Sequence, residues 1–283
     1  MAYGRKYAVE FDTPFGPHRL TDVDVKFRVE YSQSATLTQA EISICNLTRA
    51  NIEYLTTYVS VWIAKANASR IRLFAGYEDE EPINLIFDGD ILSAIPTEPP
   101  EVWLNCTAIS GGYGSIQMFS ESILVPVPLR TVFDLASGWV GMELEWNATI
   151  DKTITSFDCT GNRNKLIEQL NSLGEISVFE ENGKMVVVDE AHPKRSGKIF
   201  EISEETGMVS VPKIDQIGIE AKIFLNTKIK CGDTVHITSK RVPIASGNYY
   251  VMNVIHEGHF RGDLWHTTIK TRRLDAYGKK LVT

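Results

Sequence analysis

The chain has 283 residues, of which 43% are hydrophobic and 23% charged, and its formal net charge is −7. That composition excludes a wholly disordered chain. The acidic balance argues against tight general binding to nucleic acid, which needs clustered Lys and Arg, and the length suffices for two domains or one large β-rich one.

From the N-terminus to Ile109 the pattern is one of strands. The opening MAYGRKYAVEFD has no apolar core of signal-peptide length. Val23, Val25, Phe27 and Val29 alternate with Asp24, Lys26 and Arg28, the period of a half-buried strand. Ile42 and Ile44 repeat it. A short helix is predicted over Arg49 to Thr56, with Thr48 as its N-cap. Strands are expected over Val59–Ala66, Arg70–Tyr77, Ile83–Ile95 and Val102–Ile109, separated by turns at Asn67 and Ser69, at the acidic run Glu78–Glu81 and at Pro99–Pro100. Short strands at this spacing suggest a barrel or sandwich.

Ser110–Tyr113 breaks the pattern and reads as a join. After Pro126 and Pro128, the residues Leu129, Val132, Phe133, Ala136 and Val140 fall at helical spacing, with Gly138 and Gly141 marking the end. Leu166, Ile167, Leu170 and Leu173 give a second helix one apolar face, from Asn164 to Leu173, with Gly174 as its stop. Asn182–Gly183 between EISVFE and KMVVVD is a hairpin signal, because both turn residues need positive φ. Residues Thr131 to Asp189 therefore form a small α+β module that packs against a β domain. The polar stretch His192–Gly197 is a second boundary. Beyond it Ile217, Ile219, Ala221, Ile223 and Leu225 alternate with Gly218, Glu220, Lys222 and Phe224, and further strands flank a turn at Arg261–Gly262–Asp263.

Candidate chemistry is sparse. Cys45, Cys106, Cys159 and Cys231 are too scattered for a zinc pattern and fit reduced, buried thiols of a protein made in the cytosol. His256, His259 and His266 could supply zinc ligands to a metal-assisted hydrolase, but no Cys or acid sits at matched spacing. Glu143 and Glu145 near Trp146 suggest a glycosidase pair, yet their alternation with Met142 and Leu144 reads better as a half-exposed strand. The run Glu78–Glu81, with Asp88–Gly89–Asp90 nearby, does not complete a calcium loop. Arg261–Gly262–Asp263 spells an adhesive tripeptide but is also good turn chemistry. Trp62, Trp103, Trp139, Trp146 and Trp265 are dispersed, as core residues are. No GxSxG, GxGxxG or GxxxxGK[ST] occurs. No stretch approaches the ~18 apolar residues of a membrane span. The expectation is no catalytic, metal or cofactor-binding site and no stable membrane insertion.

Several segments in order resemble the baseplate hub proteins of contractile-tailed bacteriophages and their relatives in contractile injection systems. They are ISICNLTRANIEYL, then IRLFAGYEDEEPINLIFDGDI with its AGY before an F-x-G-x-I strand, then VWLNCTAIS. In the second half come ETGMVSVPKIDQIGIEAKIFLNTKIKCGDTVHITS and the closing YYVMNVIHEGHFRGDLWHTTIKTRRL. The resemblance implies a mainly β fold (α+β overall): two tail-tube-like β-barrel domains, 1–112 and 193–283, with a small α+β domain between them, 113–192. It implies a structural virion protein of the tail baseplate, assembled in the host cytoplasm. Such a hub is a homotrimer that adapts the sixfold tail tube to the threefold central spike and contacts tape-measure and other baseplate proteins. DNA passes its channel without specific binding. The rival reading is a carbohydrate- or receptor-binding β-sandwich module of a tail or cell surface.

Overall fold

In the computed structural model, the structure describes residues 4–13, 16–33, 38–59, 69–80, 82–111, 117–190, 195 and 197–274. The boundaries expected after residues 112 and 192 fall outside these residues, as do Trp62, Glu81 and the expected strand beyond Val59.

The N-terminal region holds β1 (Arg5–Thr13), β2 (Gly16–Leu20), β3 (Val25–Ser32), β4 (Gln39–Cys45), α1 (Arg49–Val59), β5 (Arg70–Tyr77), β6 (Asn84–Pro96) and β7 (Trp103–Ile109). Alternation decides which face each strand buries: in β3, Val25, Phe27, Val29 and Tyr31 are buried while Lys26 stays exposed. Thr48 caps α1, its Oγ1 accepting from the Asn51 N–H at 3.3 Å. Val59, expected to open a strand, instead ends this helix.

The middle region holds β8 (Phe119–Ile123), β9 (Val127–Pro128), α2 (Leu129–Trp139), β10 (Glu143–Asn147), β11 (Thr153–Ile154), β12 (Phe157–Gly161), α3 (Arg163–Ser172), β13 (Ile176–Glu181) and β14 (Lys184–Asp189). Gly138 lies inside the last turn of α2, and Gly141, at φ 64°, follows the C-cap. The hairpin turn has φ 49° at Asn182 and 80° at Gly183, the conformation that Asn-Gly favours. β10 adds in parallel to β14. The two helices pack on this sheet around Val132, Phe133, Leu166, Leu170 and Val187.

The C-terminal region holds β15 (Ile199–Ser203), β16 (Lys213–Ile214), β17 (Ile219–Phe224), β18 (Thr234–Thr238), β19 (Gly247–His259) and β20 (Trp265–Arg273). The two β regions share one 13-stranded sheet, whose pairings run β16-β17-β20-β19-β3-β4-β7-β6-β5-β1-β2, with β18 also on β19 and β15 parallel to β18. One apolar core draws on both regions and on Phe179, Val186 and Val188 of the β13–β14 hairpin. Burying each such Val, Ile or Phe fully is worth ~1.5–3 kcal/mol, so the hairpin contributes to the core of the β body as well as to its own. All four cysteines are free and buried. Three lie in strands as expected, and Cys231 lies in the turn before β18.

Candidate functional site

Strand alternation scatters the histidines. His256 is buried in β19, its Nδ1 2.9 Å from Thr267 Oγ1, and burial lowers its pKa to about 4. His259 points to the opposite face, with Nε2 3.0 Å from Asp24 Oδ2. His266 stacks on Phe224 with ring centroids 6.4 Å apart. Among the described residues no three His, Cys, Asp or Glu groups are gathered to hold a metal.

The other candidates are occupied structurally. Glu143 pairs with Lys184 at 3.0 Å and Glu145 with Arg195 at 2.6 Å. Glu80 pairs with Lys228 at 2.8 Å, and Asp88 takes Arg70 through both oxygens at 2.6 and 2.7 Å. The Arg261–Gly262–Asp263 turn joins β19 to β20. It is held by Asp24, which accepts from the Arg261 N–H at 3.2 Å, and by Arg5, which donates to the Gly262 carbonyl. The four described tryptophans all have packing partners. Trp265 meets Phe27, Trp139 stacks on Phe157, Trp146 meets Phe133, and Lys26 Nζ sits 4.0 Å over Trp103. The dispersed tryptophans are thus packed as the core reading expects.

What the fold does bring together is a splice. Along one edge β19 pairs with β20. Along the other it pairs first with β18, over Gly247 to Tyr250, and then with β3, over Asn253 to His259. The change of partner coincides with a register shift between Val251 and Asn253, where a bulge bends and twists the strand. One face of the spliced sheet is polar. Cross-strand register places Phe224, His266, Glu257, Arg28, Glu41, Thr107 and Ser93 in one row from β17 to β6, none of them buried. At its centre Arg28 donates to Glu257 and, at 3.2 Å, to Glu30.

The hairpin tip Glu180–Gly183 wedges beneath this splice. Asn182 reaches β3 and β6, its Nδ2 3.2 Å from Tyr31 Oη and its Oδ1 accepting from the Asp88 N–H at 3.3 Å. Glu180 is buried, takes the Ser110 hydroxyl and accepts from the Gly183 N–H at 2.7 Å; burial still raises its pKa. Glu181, also buried, pairs with Arg195 at 2.6 Å and with Lys230 at 3.2 Å. The Arg195 guanidinium also reaches the Cys231 carbonyl at 3.0 Å. Burial disfavours its charge, but the two carboxylates outweigh this and raise its pKa further. Burial likewise pushes the Glu145 carboxyl up, and the Arg195 hydrogen bonds and charge reverse that, so its pKa is lowered. Arg195 thus ties β10, β13 and the turn before β18 together. Sequence reasoning missed it, because His192–Gly197 read only as a polar boundary. The signal available was a pair of adjacent acids, Glu180 and Glu181, at a hairpin tip.

The chain is mainly β, its two β regions are spliced into one sheet, and among the described residues no metal-ligand cluster is gathered. Its fold is that of tail proteins. It resembles the 43 kDa tail protein of prophage MuSo2 from Shewanella oneidensis with TM-score 0.66 and 7% identity, covering 94% of this chain and 96% of that one. It resembles the tail protein from Neisseria meningitidis MC58 with TM-score 0.65 and 10% identity, over 96% and 97%. A type VI secretion system component of E. coli, described as similar to the T4 tail proteins gp27 and gp5, matches with TM-score 0.60 and 8% identity, over 92% and 76%. No curated protein matches by sequence. The sequence profile of the baseplate hub gp41 family matches residues 8–270, and the chain belongs to that family.

Proposed function

We propose that this chain is the hub that adapts the sixfold tail tube to the threefold central spike of a contractile tail. It does so as a homotrimer whose ring forms part of the central channel. The residues 1–112 and 193–283 act as two tube-like barrel units in tandem, so three copies present six. The unit 113–192 wedges them in register. The observation that carries this reading is the β19–β3 splice, which sets both β regions in one sheet with a continuous polar face. In a closed ring that face lines the channel. Arg28 at the centre of that face is engaged by Glu257, which leaves its charge less free to hold DNA phosphates or the tape-measure protein. The chain works without catalysis or cofactor, is made and assembled in the host cytoplasm, and resides in the virion with tube, spike and other baseplate proteins.

The test is the mass of the purified chain by light scattering, alone and with tube and spike proteins, followed by imaging of an intact tail. A trimer seated between tube and spike is expected. A chain that stays monomeric and binds neither overturns the reading.

A further inference from the structure

Two surfaces of the chain carry unmatched and complementary chemistry. The first is a cleft of about 240 Å³ beside β16 and β17, lined in part by Ile214, Ile217, Ile244, Tyr249 and Arg273. Its aliphatic rim is open: Ile214 is 55% exposed, Ile217 46% and Ile244 73%. Among the described residues β16 pairs only with β17 and ends the sheet path, so no described strand covers its outer edge. The one carboxylate in the cleft, Asp215, accepts from the Ile217 and Gly218 N–H groups at 2.9 and 2.7 Å. The cleft's other charge is the exposed Arg273 guanidinium, for which no ion pair is found among the described residues.

The second surface is the exit of β8. Leu124 is 80% exposed and Val125 61%, and the neighbouring Glu121 is exposed with no ion pair among the described residues. Among the described residues β8 pairs only with β12, so no described strand covers its other edge. The end of β8 and the bend after it offer one acid and two aliphatic side chains. The cleft offers an aliphatic floor and one cation.

We propose that Glu121–Val125 of one copy seats in the β16–β17 cleft of the next. Leu124 and Val125 cover Ile214, Ile217 and Ile244, and the Glu121 carboxylate meets Arg273. Pro212 and Lys213 on the β16 edge oppose a long added strand, so recognition runs through side chains in the cleft. The contact joins two different surfaces and is therefore heterologous, the kind that closes a ring when the rotation permits. It rests on the ring assembly proposed above and assigns that assembly its contact.

The experiment uses Val125→Cys and Ile244→Cys on separate full-length chains; the four native cysteines are buried and do not compete. Under mild oxidation the mixture should cross-link between unlike variants, while neither variant alone does so. Leu124→Glu should weaken self-association by about tenfold or more in sedimentation, with the melting temperature unchanged because the site is exposed. A trimer that forms without the cross-link and ignores Leu124→Glu overturns this contact and leaves the hub reading standing. Cross-linking by Val125→Cys alone shows like surfaces meeting and also overturns it. A chain that is monomeric at every concentration reached overturns the assembly reading, and the contact with it.

Discussion

Gly258 of β19 lies directly across from Phe27 of β3, and the Phe27 ring fills the space that a Cβ on Gly258 would need. The Trp265 ring closes the same space from β20, its Cε3 2.9 Å from that Cβ position. The packing of these two rings at the splice thus requires a residue without a side chain at position 258. Gly258→Val should cost about 1–3 kcal/mol of stability through overpacking. Urea unfolding checks it, and a variant as stable as the parent would refute the packing argument.

Arg195 is expected to be a larger determinant than its place in a polar stretch suggests. Removing it leaves Glu181, 6% exposed at its side chain, without its buried partner. Losing one member of a buried pair costs about 3–5 kcal/mol. Arg195→Ala should therefore destabilise strongly. Adding Glu181→Gln should recover part of the loss, which a double-mutant cycle measures.

Glu180 gives stability that acid preserves. Burial raises its pKa in the folded state above the ordinary value of 4.5, so the folded chain holds this proton to higher pH than the unfolded one. The contribution is fully present below the unfolded pKa and is lost as pH rises through the folded value. Glu180→Gln should flatten that part of the stability profile and raise stability at neutral pH. An unchanged slope would show that the carboxyl titrates normally.

His256 has the opposite sign. Its pKa falls from 6.5 to about 4 on folding, so the unfolded chain takes up the proton first and stability drops as pH falls from 6.5 toward 4. The full effect is on the order of 3 kcal/mol. His256→Gln should lose this dependence, and an NMR titration should show His256 neutral at pH 5.5.

Regular strands were legible because burial there is local. Arg70–Tyr77 was predicted at the bounds observed, and the Asn182–Gly183 turn followed from its φ requirement. β10 was readable from Met142, Leu144 and Trp146, but its parallel docking on β14 was not, since no local pattern encodes the partner. The same limit hid the splice. The run NYYVMNVIH reads as a strand, while nothing in it says that the far edge changes partners midway. The wedge was hidden for a second reason. Buried acids such as Glu180 and Glu181 read as surface residues until the cation that neutralises them is placed by the fold.

The β3–β19 pairing also bears on how load passes between the two β regions. β3 and β19 lie antiparallel over Asn253 to His259, so tension applied along the strands must shear many backbone hydrogen bonds at once instead of peeling them singly. Resistance to sliding is therefore set by the number of rungs in that stretch, and a shock at one end of the chain reaches the other through peptide groups that cannot yield one by one.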